Sequence, residues 1–164
     1  MKTVLLMRHA EASEPQSGQT DFQRVLTPAG QQMARKTADL ASTAGLSLDR
    51  IIASASVRTA QTAEIMALGM APAVPIVLRD ELYAAPAEQF AAALPYHCFP
   101  DESSVLVVGH NPGIAMLMCH WAQRVTPVPP ATLMVFQFSV PDWDQVPGSS
   151  GQLLHLFSDG QKAL

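Results

Sequence analysis

Short apolar runs alternate with longer amphipathic segments along most of the chain. Thr3–Met7 (TVLLM), Arg50–Ser54 (RIIAS), Pro75–Leu78 (PIVL) and Val105–Val108 (VLVV) are too short for helices and too uniformly apolar for half-exposed strands, so they predict buried strands. Met33, Ala34, Ala38, Leu40 and Ala41 recur at helical spacing and predict a helix to about Ala44. Thr27 is its cap, Pro28 its first residue and Gly45 its stop. A second helix over about 57–69 takes Ser56 as cap and Ala60, Ala63, Ile65, Met66 and Ala67 as its buried side. Further helices are expected near Ala87–Leu94 and from Asn111-Pro112 to about Trp121. Leu133–Val140 and Gln152–Phe157 read as strands with no helix between them. The turn-rich Pro141–Gly151 therefore predicts a long-looped hairpin, and the polar residues 13–26, with Pro15 and Gly18, a loop.

Strand-helix alternation predicts an α/β fold: a three-layer sandwich, its mostly parallel central sheet flanked by helices and closed by a C-terminal hairpin. With 164 residues, no internal repeat and no linker, residues 1–164 are expected to form one domain. A chain 48% hydrophobic and 15% charged excludes disorder. The net charge is −4 and no run of Lys or Arg occurs, which argues against nucleic acid or an anionic membrane as partner. The N-terminal apolar run, Val4–Met7, is too short for a signal peptide and is ended by Arg8. A soluble cytoplasmic monomer is expected. Cys98 and Cys119 lack CxxC spacing and read as reduced, semi-buried thiols; Met116 and Met118 read as core.

In a parallel α/β sheet, ligands bind beyond the carboxyl ends of the strands. Three of the expected strands end in polar or cationic company there. TVLLM runs into Arg8-His9, IIAS into Ser54 through Arg58, and VLVV into Gly109-His110-Asn111-Pro112. Two histidines and two arginines would thus arrive at one sheet edge from separate strands.

LLMRHAEA, ASASVRTAQTAE and VVGHNPG resemble, in order, the motifs of the histidine phosphatase (phosphoglycerate mutase-like) superfamily. RHAEA, the run from Asp21 through Arg24 and Thr27 to Gly30, and GHNP most resemble the SixA-type phosphohistidine phosphatases. The resemblance implies that His9 attacks phosphorus and forms a covalent phosphohistidine, as a neutral imidazole can. It places Arg8 and Arg58 on the phosphoryl oxygens, where a forked guanidinium suits the spread charge. His110 would donate to the same oxygens beside a helix N-terminus. Gly109 would let the backbone pass close to phosphate, with Asn111 among the phosphate contacts. Arg24 matches an Arg of the SixA-type loop, as a further phosphate contact or as a plain surface residue. Glu81, in RDELY, stands about where the wider superfamily keeps the acid that protonates the leaving group; it is that acid or an exposed loop residue. Ala10 replaces the Gly of the commoner RHG, a change that SixA-like members accept.

The resemblance implies a metal-independent phosphatase needing no cofactor and acting on phosphohistidine in a partner protein, such as a phosphotransfer domain. Without a large insertion to cover the site, a phosphorylated side chain could reach His9. Two other readings stay open: a small-molecule phosphomonoesterase, and a phosphate-binding module without catalysis. His97, His120 and His155 match no motif and are read as structural.

Overall fold

Seven strands form one sheet in the order β3-β2-β4-β1-β5-β6-β7. They are β1 (Lys2–Arg8), β2 (Arg50–Ser54), β3 (Ile76–Arg79), β4 (Ser104–Gly109), β5 (Leu133–Phe138), β6 (Gln152–Ser158) and β7 (Gln161–Lys162). The computed structural model describes residues 1–164. β3, β2, β4 and β1 pair in parallel, whereas β1–β5, β5–β6 and β6–β7 are antiparallel. The sheet is therefore mixed, less parallel than the strand-helix alternation implies. Past β4 the chain runs through one more helix and past β1 to β5, which is antiparallel to β1, and ends as the expected hairpin with a short third strand, β7.

The helices are α1 (Pro28–Thr43), α2 (Val57–Met70), α3 (Ala87–His97) and α4 (Gly113–Ala122). α1 and α2 cover one face of the sheet through Ala34, Ala38, Ala41, Ala63 and Met66, which pack on Leu5, Met7, Leu106 and Val108. α3 and α4 cover the other through Phe90, Leu94, Ile114, Leu117 and Trp121 on Val4, Leu6, Val105 and Val107. Successive strand residues point to opposite faces, so the middles of β1 (Val4–Met7) and β4 (Val105–Val108), covered on both, are apolar at every position, which is why they read as runs. Thr27 caps α1 as expected, its side chain accepting from the Gly30 N–H. Ser56 stands at the N-cap position of α2 without capping it, its hydroxyl being bonded to that of Thr59 instead. Met118 is fully buried but Met116 is 60% exposed, so only the first belongs to the core. Both cysteines are free and half-buried. No helix is long and apolar enough to cross a membrane.

Candidate active site

Register brings the two motif histidines together. β1 and β4 are parallel neighbours in which Arg8 lies opposite Gly109, so His9 and His110 are the next residues off adjacent strands. Paired strands lie about 4.8 Å apart, and the two imidazole rings meet edge to face with centroids 5.4 Å apart. β2, on the far side of β4, pairs Ala53 with Val108; Ser54 therefore ends beside His110. From the first turn of α2, Arg58 reaches back to the same place.

His9 is held at every polar atom. Its backbone N–H donates to Gly109 O at 3.1 Å and its carbonyl accepts from Ala131 N–H at 3.1 Å. Nδ1 lies 2.7 Å from Ala10 O. A carbonyl can only accept, so Nδ1 carries the hydrogen and Nε2 keeps its lone pair. Arg58 Nε–H donates to that lone pair at 3.3 Å. The Ala10 N–H donates in turn to Thr62 Oγ1, whose hydroxyl donates to Arg58 O. Burial, then the positive charges of Arg58, Arg8 and Arg24, outweigh the bond to Ala10 O and lower the His9 pKa to about 4. At neutral pH His9 is an uncharged imidazole, as a nucleophile must be.

Burial, then the nearness of His9 and Arg58, lowers the His110 pKa to about 3. Its Nε2 lies 2.8 Å from Ser54 Oγ, while Nδ1 is buried without a partner. Arg8 donates through a terminal nitrogen to Val128 O at 3.0 Å, and its buried Nε–H likewise has no acceptor. A buried polar group without a partner is rare and costly. Here two such nitrogens lie beside the neutral His9 imidazole and the guanidinium groups of Arg8 and Arg58, a set that suits an oxyanion. No three of the His, Cys, Asp and Glu side chains gather in a group that could hold a metal ion.

Motif reading gave Asp21 no role of its own and passed over Tyr83. Asp21, in a 3₁₀ turn of the 13–26 loop, accepts from both terminal nitrogens of Arg58, through its carbonyl at 2.7 Å and its carboxylate at 3.0 Å. The same carboxylate accepts from Tyr83 Oη–H and, at 2.9 Å, from Arg24. These donors, Tyr83 first, hold the Asp21 carboxyl far below the usual carboxylate range. The Tyr83 ring stands edge to face on both His110 and Phe22. A tyrosine four residues past a strand carries no sequence signal of its own, and an Asp in a polar loop resembles any turn residue.

Four expected residues stand differently from their motif roles. Glu81 turns its half-exposed carboxylate to His97 Nε2 at 3.7 Å, in the last turn of α3, and not to His9. Arg24 reaches the site's rim, tied to Asp21 and to Ser13 O. The Asn111 side chain donates to Val128 O at 3.1 Å, the carbonyl that also holds Arg8. Gly109 makes room for a side chain: a Cβ there would lie 2.5 Å from the Phe90 ring. A cavity of about 430 Å³ between α3 and α4, lined by Ala91, Met116, Leu117 and Trp121 among others, contains none of the site residues.

Comparison with known proteins gives the family and the fold. The profile of the Histidine phosphatase superfamily (branch 1) matches residues 4–85. A SixA-type protein from Agrobacterium tumefaciens superposes with a TM-score of 0.80 at 26% identity, over 96% of this chain and 97% of that one. The protein histidine phosphatase SixA complexed with tungstate gives 0.79 at 20% identity, over 95% and 96%, a likeness of fold. The Xenopus tropicalis mitochondrial serine/threonine-protein phosphatase PGAM5 is 38% identical over 63 residues, which are 38% of this chain and 22% of that protein. The match thus spans about a fifth of that relative's length.

Proposed function

The chain belongs to the histidine phosphatase superfamily (branch 1), and from its site we propose that it is a phosphatase whose His9 Nε2 takes the phosphoryl group. The observation that carries this reading is the state of His9. It is neutral, its tautomer is fixed by Ala10 O, and its lone pair lies among donors. Nε2 attacks phosphorus, the N–P bond forms as the bond to the leaving group breaks, and Arg8, Arg58 and His110 take up the charge on the equatorial oxygens. Water then attacks phospho-His9 and releases phosphate. The side chains supply the positive charge, so no step calls for a metal ion.

The leaving group decides the substrate class. An alcohol leaves well only with a proton donor at its oxygen. Glu81 faces His97 and not His9, and Asp21 is held ionised by Tyr83, Arg24 and Arg58, so the first is not placed to donate a proton to a leaving group and the second has none to give at neutral pH. An imidazole leaving group can bring its own proton, since its pKa lies near neutrality. Phosphohistidine on a partner protein, such as a phosphotransfer domain, is therefore the proposed substrate. The likeness to the SixA-type structures favours the same choice.

The partial match to PGAM5 supports phosphoserine or phosphothreonine as a second reading. Phosphate release from a phosphohistidine-bearing phosphotransfer protein and from a phosphoserine peptide, both in EDTA, separates the two. Faster release from phosphohistidine is expected. Release from phosphoserine alone would overturn the substrate assignment.

A further inference from the structure

Ser54 is the last residue of β2 and is fully buried. The first turn of α2 locks the strand end around it. Thr59 Oγ1–H donates to Ser54 O at 2.6 Å, and Thr59 Oγ1 also lies 2.6 Å from Ser56 Oγ. The Ser54 hydroxyl meets two groups, the Ser56 N–H at 3.5 Å and His110 Nε2 at 2.8 Å.

The direction of the bond to His110 follows from counting hydrogens. A hydroxyl has one hydrogen, and a neutral imidazole has one N–H and one lone pair. If Nε2–H donated to Ser54 Oγ, the buried hydroxyl would accept from both neighbours, and its own hydrogen would have no acceptor. His110 Nδ1 would then present a lone pair to the place where His9, Arg8 and Arg58 gather an anion, repelling it. If the hydroxyl donates to Nε2, it accepts from Ser56, gives its hydrogen to His110 and is satisfied. The ring hydrogen then sits on Nδ1, the nitrogen without a partner in the protein. A buried polar group left unsatisfied costs about 1–3 kcal/mol, so the second arrangement is the stable one.

We infer that Ser54 is a positioning residue: its hydroxyl donates to His110 Nε2 and fixes the tautomer in which Nδ1–H is offered to a phosphoryl oxygen. The inference rests on the proposal above only for its last clause, the identity of the acceptor. His9 is fixed in the same way by a different device. Ala10 O takes its Nδ1–H and leaves Nε2 as a lone pair. Neighbouring imidazoles are thus set to opposite roles, a nucleophile and a donor, by one carbonyl and one hydroxyl.

The test is a long-range ¹H–¹⁵N correlation on ¹⁵N-histidine protein at neutral pH, which distinguishes a protonated from an unprotonated ring nitrogen. The His110 signals are assigned by their loss in His110→Asn. The wild type is expected to carry hydrogen on His110 Nδ1. Ser54→Ala is expected to move population to the Nε2–H form and to lower kcat on a phosphohistidine protein about 10- to 100-fold, the range seen when a histidine that binds a metal loses the partner that orients its ring. KM should change less, and Ser54→Thr, which keeps the hydroxyl, should restore the Nδ1–H form. A wild-type His110 protonated on Nε2 overturns the inference, whether or not Ser54→Ala folds. So does Ser54→Ala protein that keeps the Nδ1–H form. Nδ1–H in the wild type that shifts on adding inorganic phosphate, with no turnover of any phosphorylated protein, would leave Ser54 assigned and remove the phosphatase reading.

Discussion

The Nε–H of Arg58 faces the Nε2 lone pair of His9 across 3.3 Å. One guanidinium edge is thereby held against the proposed nucleophile, while both terminal nitrogens are turned to Asp21. In the proposed reaction, a phosphoryl group arriving at Nε2 meets an arginine already aligned beside the attacking atom. Alignment of this kind lowers the barrier because the donor need not reorganise during the reaction.

Replacing Arg58 should therefore act on the chemical step. Arg58→Ala is expected to lower kcat about 10²–10³-fold, the usual cost of one preorganised donor to a developing charge. Arg58→Lys should recover little, because an ammonium cannot span His9 and Asp21 together. Steady-state kinetics on a phosphohistidine protein check both.

Asp21 sets two effects against each other. Its carboxylate positions Arg58, Arg24 and Tyr83 but also repels an incoming anion. Asp21→Asn removes the charge and keeps an oxygen acceptor. It should tighten inorganic phosphate or tungstate binding roughly fivefold, about what one like charge a few Å away contributes at a solvent-facing edge. Isothermal titration measures it; weaker binding would show that positioning Arg58 outweighs the repulsion.

Acid should destabilise the fold through its two buried histidines. The folded-state pKa values of His9 and His110, about 4 and about 3, lie below the ordinary 6.5. Between those limits the unfolded chain binds more protons, so stability rises with pH there. The contribution is fully present above about 6.5 and is lost as pH falls through about 4 for His9 and about 3 for His110. Thermal melts of wild type should fall across that window, and the His9→Asn, His110→Asn double variant should fall less steeply. Phosphoenzyme formation should likewise decline as His9 protonates near pH 4.

Much of this was legible in the chain, and what was not has physical causes. The buried parallel strands read clearly because burial on both faces makes them apolar throughout, as in β4. Arg8, His9, Arg58 and His110 were legible because strand ends placed them at one edge. Helical apolar spacing missed part of the buried side of α2, since Thr59 and Thr62 are fully buried yet count as polar. They are satisfied by Ser54 O and Arg58 O, partners that no residue pattern reveals. The antiparallel pairing of β5 against β1 escaped because hydropathy does not encode strand direction. Glu81 was placed by its position after β3, but two residues on a tight 3₁₀ turn separate the side chain facing His97 from the one facing His110.

Gly109 supplies a test of packing against chemistry. Its Cβ would strike the rigid, buried Phe90 ring. Gly109→Ala should cost about 1–3 kcal/mol of stability by overpacking, and Phe90→Leu in the same chain should recover part of it. Chemical denaturation of the single and double variants checks this. Glu81→Gln, by contrast, should leave turnover within about twofold, because its carboxylate serves His97 at an exposed surface.

The central claim is that His9 Nε2 accepts the phosphoryl group, and trapping it is the most direct test. Protein mixed briefly with a ³²P-labelled phosphohistidine donor and quenched in alkali should carry label on His9, with an acid-labile, alkali-stable bond. The His9→Ala protein should carry none and release no phosphate. Label on another residue, or equal phosphate release by the two proteins, would contradict the account.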